Sequence, residues 1–179
     1  KIKGSVKHLN DLLDDFLSLG KLDEGKVGAE FAIVNLYDLL NDTIEEMKGL
    51  AKKSQNICYE HLGTEMIESD GKLIKNVLIN LISNAIKFSD EGKTIHVNSI
   101  VKDDVAVISV RDEGIGISRE DQAHLFSSFF RGKNALNIQG TGLGLHIVKR
   151  YLQLLEGDVN LKSELGKGTI ITFTIPVKY

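Results

Sequence analysis

The amino-acid sequence predicts an α/β (α+β) fold, a mixed β-sheet packed on helices on one of its faces and preceded by a single bundle-forming helix. Three observations predict it. From Glu30 to Pro176, short stretches with period-two alternation interleave with longer stretches of helical period. Two pairs of alternating stretches sit back to back around tight polar or glycine turns, as hairpins do. The first 23 residues carry apolar positions at steps of four and three, which one isolated helix cannot bury.

Lys1 to about Asp23 reads as one helix, with Ile2, Val6, Leu9, Leu13 and Phe16 forming the seam and Leu12 and Leu17 widening it. It either folds back on its own domain or is half of a helical hairpin. Gly25 and Gly28 mark a boundary, so the chain divides into 1–26 and 27–179. Glu30 to Val34 reads as a strand. Leu36 to about Ser54 reads as a helix, with Leu36, Leu39, Leu40, Ile44, Met47 and Leu50 along one side. Asn56 to Glu60 is a short strand, in which Cys58 reads as a buried thiol. Lys72 to Phe88 is a long helix that Asp70 caps. Thr94 to Val101 and Val105 to Val110 flank Asp103-Asp104 as a hairpin. Asp112 to Gly142 is glycine-punctuated and loop-like, with a short helix near Glu120 to Phe126. Leu143 to Leu155 is helical, and a last hairpin runs from Asp158 to Pro176 around Gly166 and Gly168.

Composition narrows the class. The chain has 179 residues, 42% hydrophobic and 26% charged, as a single soluble domain does. A net charge of −3 argues against a nucleic-acid surface. One cysteine excludes an internal disulfide framework and a cysteine-cluster metal site. There is no membrane-spanning run and no signal-peptide pattern, so no membrane contact is expected from these residues. The chain begins at Lys1 and reads as a fragment of a longer, cytoplasmic polypeptide whose membrane anchoring it does not specify.

Three constellations carry chemistry. On the helix ending at Phe88, Asn80, Asn84 and Lys87 are spaced four and three apart and share one face. That face is either a solvated polar surface or a metal and phosphate face. Asn84 would then offer a hard, neutral amide oxygen to Mg²⁺, and Lys87 a point charge to phosphates. Asp112-Glu113-Gly114-Ile115-Gly116 follows a strand. A carboxylate there can accept a hydrogen bond from an exocyclic amine, and the glycines let backbone approach a flat ligand. Glu113 itself reads as a solvated acid. Gly140-Thr141-Gly142-Leu143-Gly144-Leu145 opens a helix, where free N–H groups make a phosphate site. It is neither a Walker loop nor a dinucleotide fingerprint. The polar approach from Gly132 to Gln139 reads as a lid. Between these lies Phe126-Ser127-Ser128-Phe129-Phe130-Arg131, in which Arg131 either meets phosphates or is solvated.

In this order the constellations resemble the catalytic domain of sensor histidine kinases, in the superfamily shared with gyrase, heat-shock chaperone and mismatch-repair ATPases. The resemblance runs from about Glu30 to Pro176. Its N box is Asn80 to Phe88, its first glycine box Asp112 to Gly116, its F box Phe126 to Arg131 and its second glycine box Gly140 to Leu145, with Gly168-Thr169 in the closing strand. The resemblance implies a Bergerat-type fold, a sheet on three helices, with ATP and Mg²⁺ as cofactors. Asp112 would bind the adenine amine with help from Thr169, and Gly114, Gly116 and Ile117 would line the base pocket. Asn80, Asn84 and Lys87 would hold metal and phosphates, with Asn84 as the metal ligand. Gly140, Thr141, Gly142, Leu143, Gly144 and Leu145 would wrap the phosphates, with Arg131 nearby.

Hydrolytic relatives carry a glutamate four residues before the metal-binding asparagine; here that position is Asn80, which lacks a basic carboxylate. The resemblance therefore implies a kinase that passes the γ-phosphoryl group to a histidine, for relay to a response-regulator receiver domain. The amino-terminal helix is similar to the second helix of the family's dimerisation hairpin, whose first helix bears the phosphoacceptor in a homodimer. None of the five histidines, His8, His61, His96, His124 and His146, matches the acceptor pattern, and the one proline, Pro176, lies in the last strand. All five read as structural or solvated, and the residues 1–179 are not expected to phosphorylate themselves. The alternatives are a hydrolase or serine kinase of the same fold, and a degenerate scaffold that binds partners without chemistry.

Overall fold

The computed structural model describes residues 2–138 and 140–178; the side chains of residues 2–9, 11 and 12 lie outside the description, and so do the seam positions Ile2, Val6, Leu9 and Leu12. The chain runs α1 (Ile2–Asp23), β1 (Ala32–Asn35), α2 (Leu36–Lys48), β2 (Asn56–Gly63), β3 (Met66–Ser69), α3 (Gly71–Phe88), β4 (Thr94–Lys102), β5 (Val105–Asp112), α4 (Arg119–Gln122), a 3-10 turn (Lys133–Ala135), α5 (Gly144–Leu154), β6 (Asp158–Glu164) and β7 (Gly168–Pro176).

Five strands form one sheet in the order β2-β4-β5-β7-β6, and β1 pairs with β3 in a separate two-stranded ribbon. β2 and β4 are parallel, with Ile57 opposite Ile95. A parallel pair needs a long crossover, and α3 supplies it. The remaining neighbours are antiparallel, so the sheet is mixed. One face of the sheet is apolar: Ile95, Val97, Ala106, Ile108, Val110, Ile171 and Phe173 are all buried. Ile108 stands opposite Phe173 across β5 and β7. α2, α3 and α5 cover that face with Leu36, Leu40 and Ile44, with Ile74, Leu78 and Ile82, and with Ile147 and Val148. The two-layer expectation of a mixed sheet on three helices is met.

Several local expectations are corrected. α2 stops at Lys48, because Gly49 caps it and Leu50 turns outward, 59% exposed. Cys58 is exposed, not buried. The alternation in β2 is real, but Ile57 takes the inward phase and Cys58 the outward one. β3 stands where no strand was expected, since its four residues are held by β1 rather than by a local pattern. The helix near residue 120 is only Arg119–Gln122, with Ser118 as its cap. Of the described residues of the α1 stripe, Leu13, Phe16 and Leu17 are half or more exposed; Leu22, beyond that stripe, is buried.

Candidate functional site

α3 begins where Asp70 caps it: Oδ1 accepts from the N–H groups of Lys72 at 2.9 Å and Leu73 at 3.0 Å, while Oδ2 accepts from Glu30 N at 2.7 Å. Its far end is held as firmly. Lys52 Nζ donates to Lys87 O at 2.9 Å, and Gln55 Nε2 donates to Ile86 O at 3.3 Å. These donors satisfy carbonyls that a helix terminus leaves open. The helix therefore presents Asn80, Asn84 and Lys87 from a fixed rod, whose neighbouring stripe is buried through Val77, Leu78, Leu81 and Ala85.

Asn80 Nδ2 donates to Asn76 O at 2.9 Å, one turn back. Its Oδ1 faces the start of α5, where a Cβ added to Gly144 would lie 3.0 Å away. A side chain at 144 would oblige the Asn80 amide to draw back from the helix N-terminus. Gly142, with φ of +74°, packs on the backbone of Phe129 and Phe130, where a Cβ would come within 2.9 Å. Phe129 itself has φ of +61°, a costly conformation for a bulky residue. The N box, F box and second glycine box thus meet through glycine contacts.

The first glycine box is tied to the same helix. Ile115 N donates to Phe88 O at 3.2 Å, and a Cβ at Gly114 would fall 2.4 Å from Phe88 O. β5 runs two residues past the expected end and finishes on Asp112, which pairs with Thr169 of β7. The Asp112 carboxylate accepts from Gly114 N at 2.8 Å. Burial pushes its pKa up to about 6, against the opposing pull of the N–H bonds from Gly114 and Thr169. A hollow of about 310 Å³ reaches this corner, lined by Asp112, Ser163 and Thr169 and by the basic side chains of Arg111, Lys162 and Lys167.

That shift sets a pH dependence with two signs. The folded state holds a proton on Asp112 between about pH 4 and 6 that the unfolded chain has lost, so stability from this group falls as pH rises through that window. An amine ligand needs the ionised acceptor, so affinity for adenine nucleotide is expected to rise as pH passes about 6. Titration calorimetry from pH 5 to 7.5 checks this. Subtracting the profile of Asp112→Asn removes the titration of the nucleotide's own phosphate, which falls in the same range.

Several backbone groups of the loop after Asp112 are paired. Gly166 N donates to Ile115 O at 2.8 Å, Asn134 Nδ2 to Gly116 O at 2.9 Å, and Gln122 Nε2 to Ile117 O at 2.8 Å. Ile117 N donates to Ser163 Oγ at 2.9 Å. Gly116 has φ of +65°, and a Cβ there would fall 2.0 Å from Glu164 O. Gly116→Ala is therefore expected to lose about 2–4 kcal/mol, combining left-handed strain with overpacking against backbone. A chemical melt of the variant checks it.

Three residues here have partners that the sequence does not announce. Arg131 Nη2 donates to Ala135 O at 2.8 Å and to Ile138 O, cinching the lid segment into a turn. Glu113 is exposed, as expected, and its carboxylate lies 3.7 Å from Lys93 Nζ. Thr141 Oγ1 donates to Asp15 Oδ2 of α1 at 2.6 Å and accepts from Leu143 N at 3.1 Å. Together with the ion pair of Arg150 and Asp23 at 3.1 Å, this seats α1 against α5 and the glycine loop. Ser163, Gln122 and Asn134 escaped the sequence reading. Ser163 carried one readable signal, a polar residue in the inward phase of β6 with Val159 and Leu161.

Comparison with known proteins agrees with this geometry. The profile of the histidine kinase-, DNA gyrase B- and HSP90-like ATPase family matches residues 69–179. Hybrid signal transduction histidine kinase B of Dictyostelium discoideum is 36% identical over 98% of this chain, which spans 9% of that relative's length. Full-length ShkA, solved in complex with AMPPNP, superposes with a TM-score of 0.85 at 28% identity, over 97% of this chain and 37% of that one. The catalytic domain of the histidine kinase ThkA, in a nucleotide-free form, superposes with a TM-score of 0.68 at 29% identity, over 82% of this chain and 95% of that one. The chain belongs to the histidine kinase-, DNA gyrase B- and HSP90-like ATPase family. Within it, the chain is an ATP-binding catalytic domain of the sensor histidine kinase kind. Among the described residues, no helix is long and apolar enough to cross a membrane.

Proposed function

We propose that this domain holds Mg-ATP and delivers its γ-phosphoryl group to a histidine on a dimerisation helix outside residues 1–179, for relay to a response-regulator aspartate. One observation supports this reading above the others: Asn80 faces the N-terminus of α5 with an amide, not a carboxylate. Nothing there is basic enough to take a proton from water, so hydrolysis has no general base at the position where hydrolytic relatives keep one. Phosphoryl transfer asks the pocket chiefly to position the triphosphate and neutralise its charge.

In this proposal Asp112 accepts from the adenine amine, with Thr169 beside it, and Gly114, Gly116 and Ile117 flank the base. Gly140 to Leu145 wraps the phosphates at the start of α5, and Lys87 adds positive charge. Arg131 shapes the lid by holding its carbonyls. Among the described residues there is no cluster of His, Cys, Asp and Glu that would bind a metal by protein groups alone. The donor set fits a magnesium ion that takes one amide oxygen, from Asn84, and completes its shell with phosphates and water. Residues 1–26 are proposed as the second helix of the dimerisation hairpin and residues 27–179 as the catalytic domain. The exposed Leu13, Phe16 and Leu17 would meet the first helix.

Calorimetry and a phosphate-release assay on the same sample test this. Stoichiometric ATP binding without steady-state phosphate release supports the kinase reading. Sustained release would favour a hydrolase, and absent binding would favour a scaffold.

A further inference from the structure

Ser163 lies at the junction of the base-binding loop with β6 and β7, and its hydroxyl meets three partners. Its oxygen is 2.9 Å from Ile117 N, 2.9 Å from Gly168 O and 2.9 Å from Thr169 Oγ1. A serine hydroxyl owns one proton and two lone pairs. Ile117 N can only donate, so it takes one lone pair. Gly168 O can only accept, so it takes the proton. The contact with Thr169 must then use the second lone pair, with Thr169 as donor. The Thr169 proton is committed to Ser163, and what Thr169 can show a ligand is lone pairs.

We propose that Ser163 is a positioning residue that fixes the hydrogen-bond polarity of Thr169, making the base-binding corner a paired acceptor selective for 6-aminopurines over 6-oxopurines. The inference rests on the reading of Asp112 and Thr169 as the end that meets the base. Asp112 and Thr169 face each other across β5 and β7. The Asp112 carboxylate is held in place by Gly114 N at 2.8 Å. An exocyclic amine brings two donors to these two acceptors, directly or through water. A carbonyl at the same position brings lone pairs against lone pairs and leaves buried groups unpaired, which is how polar sites reject the wrong analogue. Thr169 is only 7% exposed, so bulk water cannot easily repair the mismatch. Without Ser163, the Thr169 hydroxyl is free to rotate and donate to a 6-oxo group. Gln122 straps the same joint, through Ile117 O at 2.8 Å and Ser163 O at 3.0 Å, but does not touch the Thr169 hydroxyl.

The test is competition binding of ATP and inosine triphosphate, in Mg²⁺, to the whole chain and its variants. The wild type is expected to prefer ATP. Ser163→Ala should shrink the ATP-to-ITP affinity ratio by about five- to tenfold, the scale of one neutral hydrogen bond. Ser163→Thr, which keeps the hydroxyl and suits a strand, should restore the ratio. Gln122→Ala should weaken both nucleotides alike and leave the ratio unchanged. Melting curves of each variant confirm that it is folded. If Ser163→Ala lowers both affinities equally, or leaves the ratio intact while Asp112→Asn abolishes it, Ser163 is a structural strap only and the proposal fails. If the wild type does not distinguish ATP from ITP, the assignment of the base site itself fails.

Discussion

Asp112→Asn is expected to weaken ATP binding by about 1.5–3 kcal/mol, the worth of a hydrogen bond to a charged acceptor. The variant keeps the shape of the side chain and changes two things. It removes the negative acceptor proposed to meet the adenine amine, and it ends the titration that burial has moved to about 6. The second change has its own signature. At pH 7 the wild type carries a partly buried charge that opposes folding, so the unliganded variant should melt no lower than the wild type. Lost affinity with undiminished stability is the mark of a binding residue. Lost affinity with a lower melting temperature would mean that Asp112 holds the loop and that the base is read elsewhere. Unchanged affinity would remove the adenine assignment altogether.

Asn84→Ala is the second substitution with a large expected effect. Asn84 sits one turn beyond Asn80 on α3, in a helix fixed at both ends by Asp70 and by Lys52 and Gln55. Removing the proposed metal ligand should reduce affinity for Mg-ATP at least about tenfold, since even indirect supporters of a metal commonly cost that much. Affinity for ATP with the metal chelated should change little, because base and lid contacts remain. Titrations with and without chelator separate the two cases. Equal losses in both would show that Asn84 supports the helix or the phosphates rather than a metal.

Most of the layer order was legible because it is written locally. The Asp70 cap, the apolar stripe of α3 and the two hairpins each lie within a single stretch of chain, and the structure has them where the pattern puts them. What stayed hidden depends on partners far away in sequence. β3 is four residues held by β1, more than thirty positions earlier, and by a single bridge from Glu68 to Lys178 near the chain's other end. Alternation in β2 says that Ile57 and Cys58 face opposite sides; which of them faces the core is decided by the sheet and helices. The candidate site divides the same way. Asp112, Gly116 and the α5 start announce themselves as motifs. Ser163, Gln122 and Asn134 do not, since each is an ordinary polar residue until the fold brings it to the backbone of residues 115–117. Arg131 was visible as a cation near a glycine loop, but not as the residue that gathers the carbonyls of residues 135 and 138.

The contact of Thr141 with Asp15 joins the two segments of the chain in the arrangement seen here. The glycine loop proposed to wrap the phosphates is touched by a carboxylate from the helix that would lead toward the phosphoacceptor. In this arrangement, α1 borders the loop proposed to wrap the phosphates, which suits transfer to an acceptor carried on a helix that packs beside α1.

The central claim is that this chain supplies the nucleotide and another segment supplies the histidine. γ-labelled ATP tests it most directly, with the chain incubated alone and then with a separately supplied dimerisation hairpin that carries an acceptor histidine. The account predicts no stable label on residues 1–179 alone, and acid-labile label on the added hairpin that depends on Asp112 and Asn84. Label on this chain by itself, or acid-stable label on the hairpin, would contradict it.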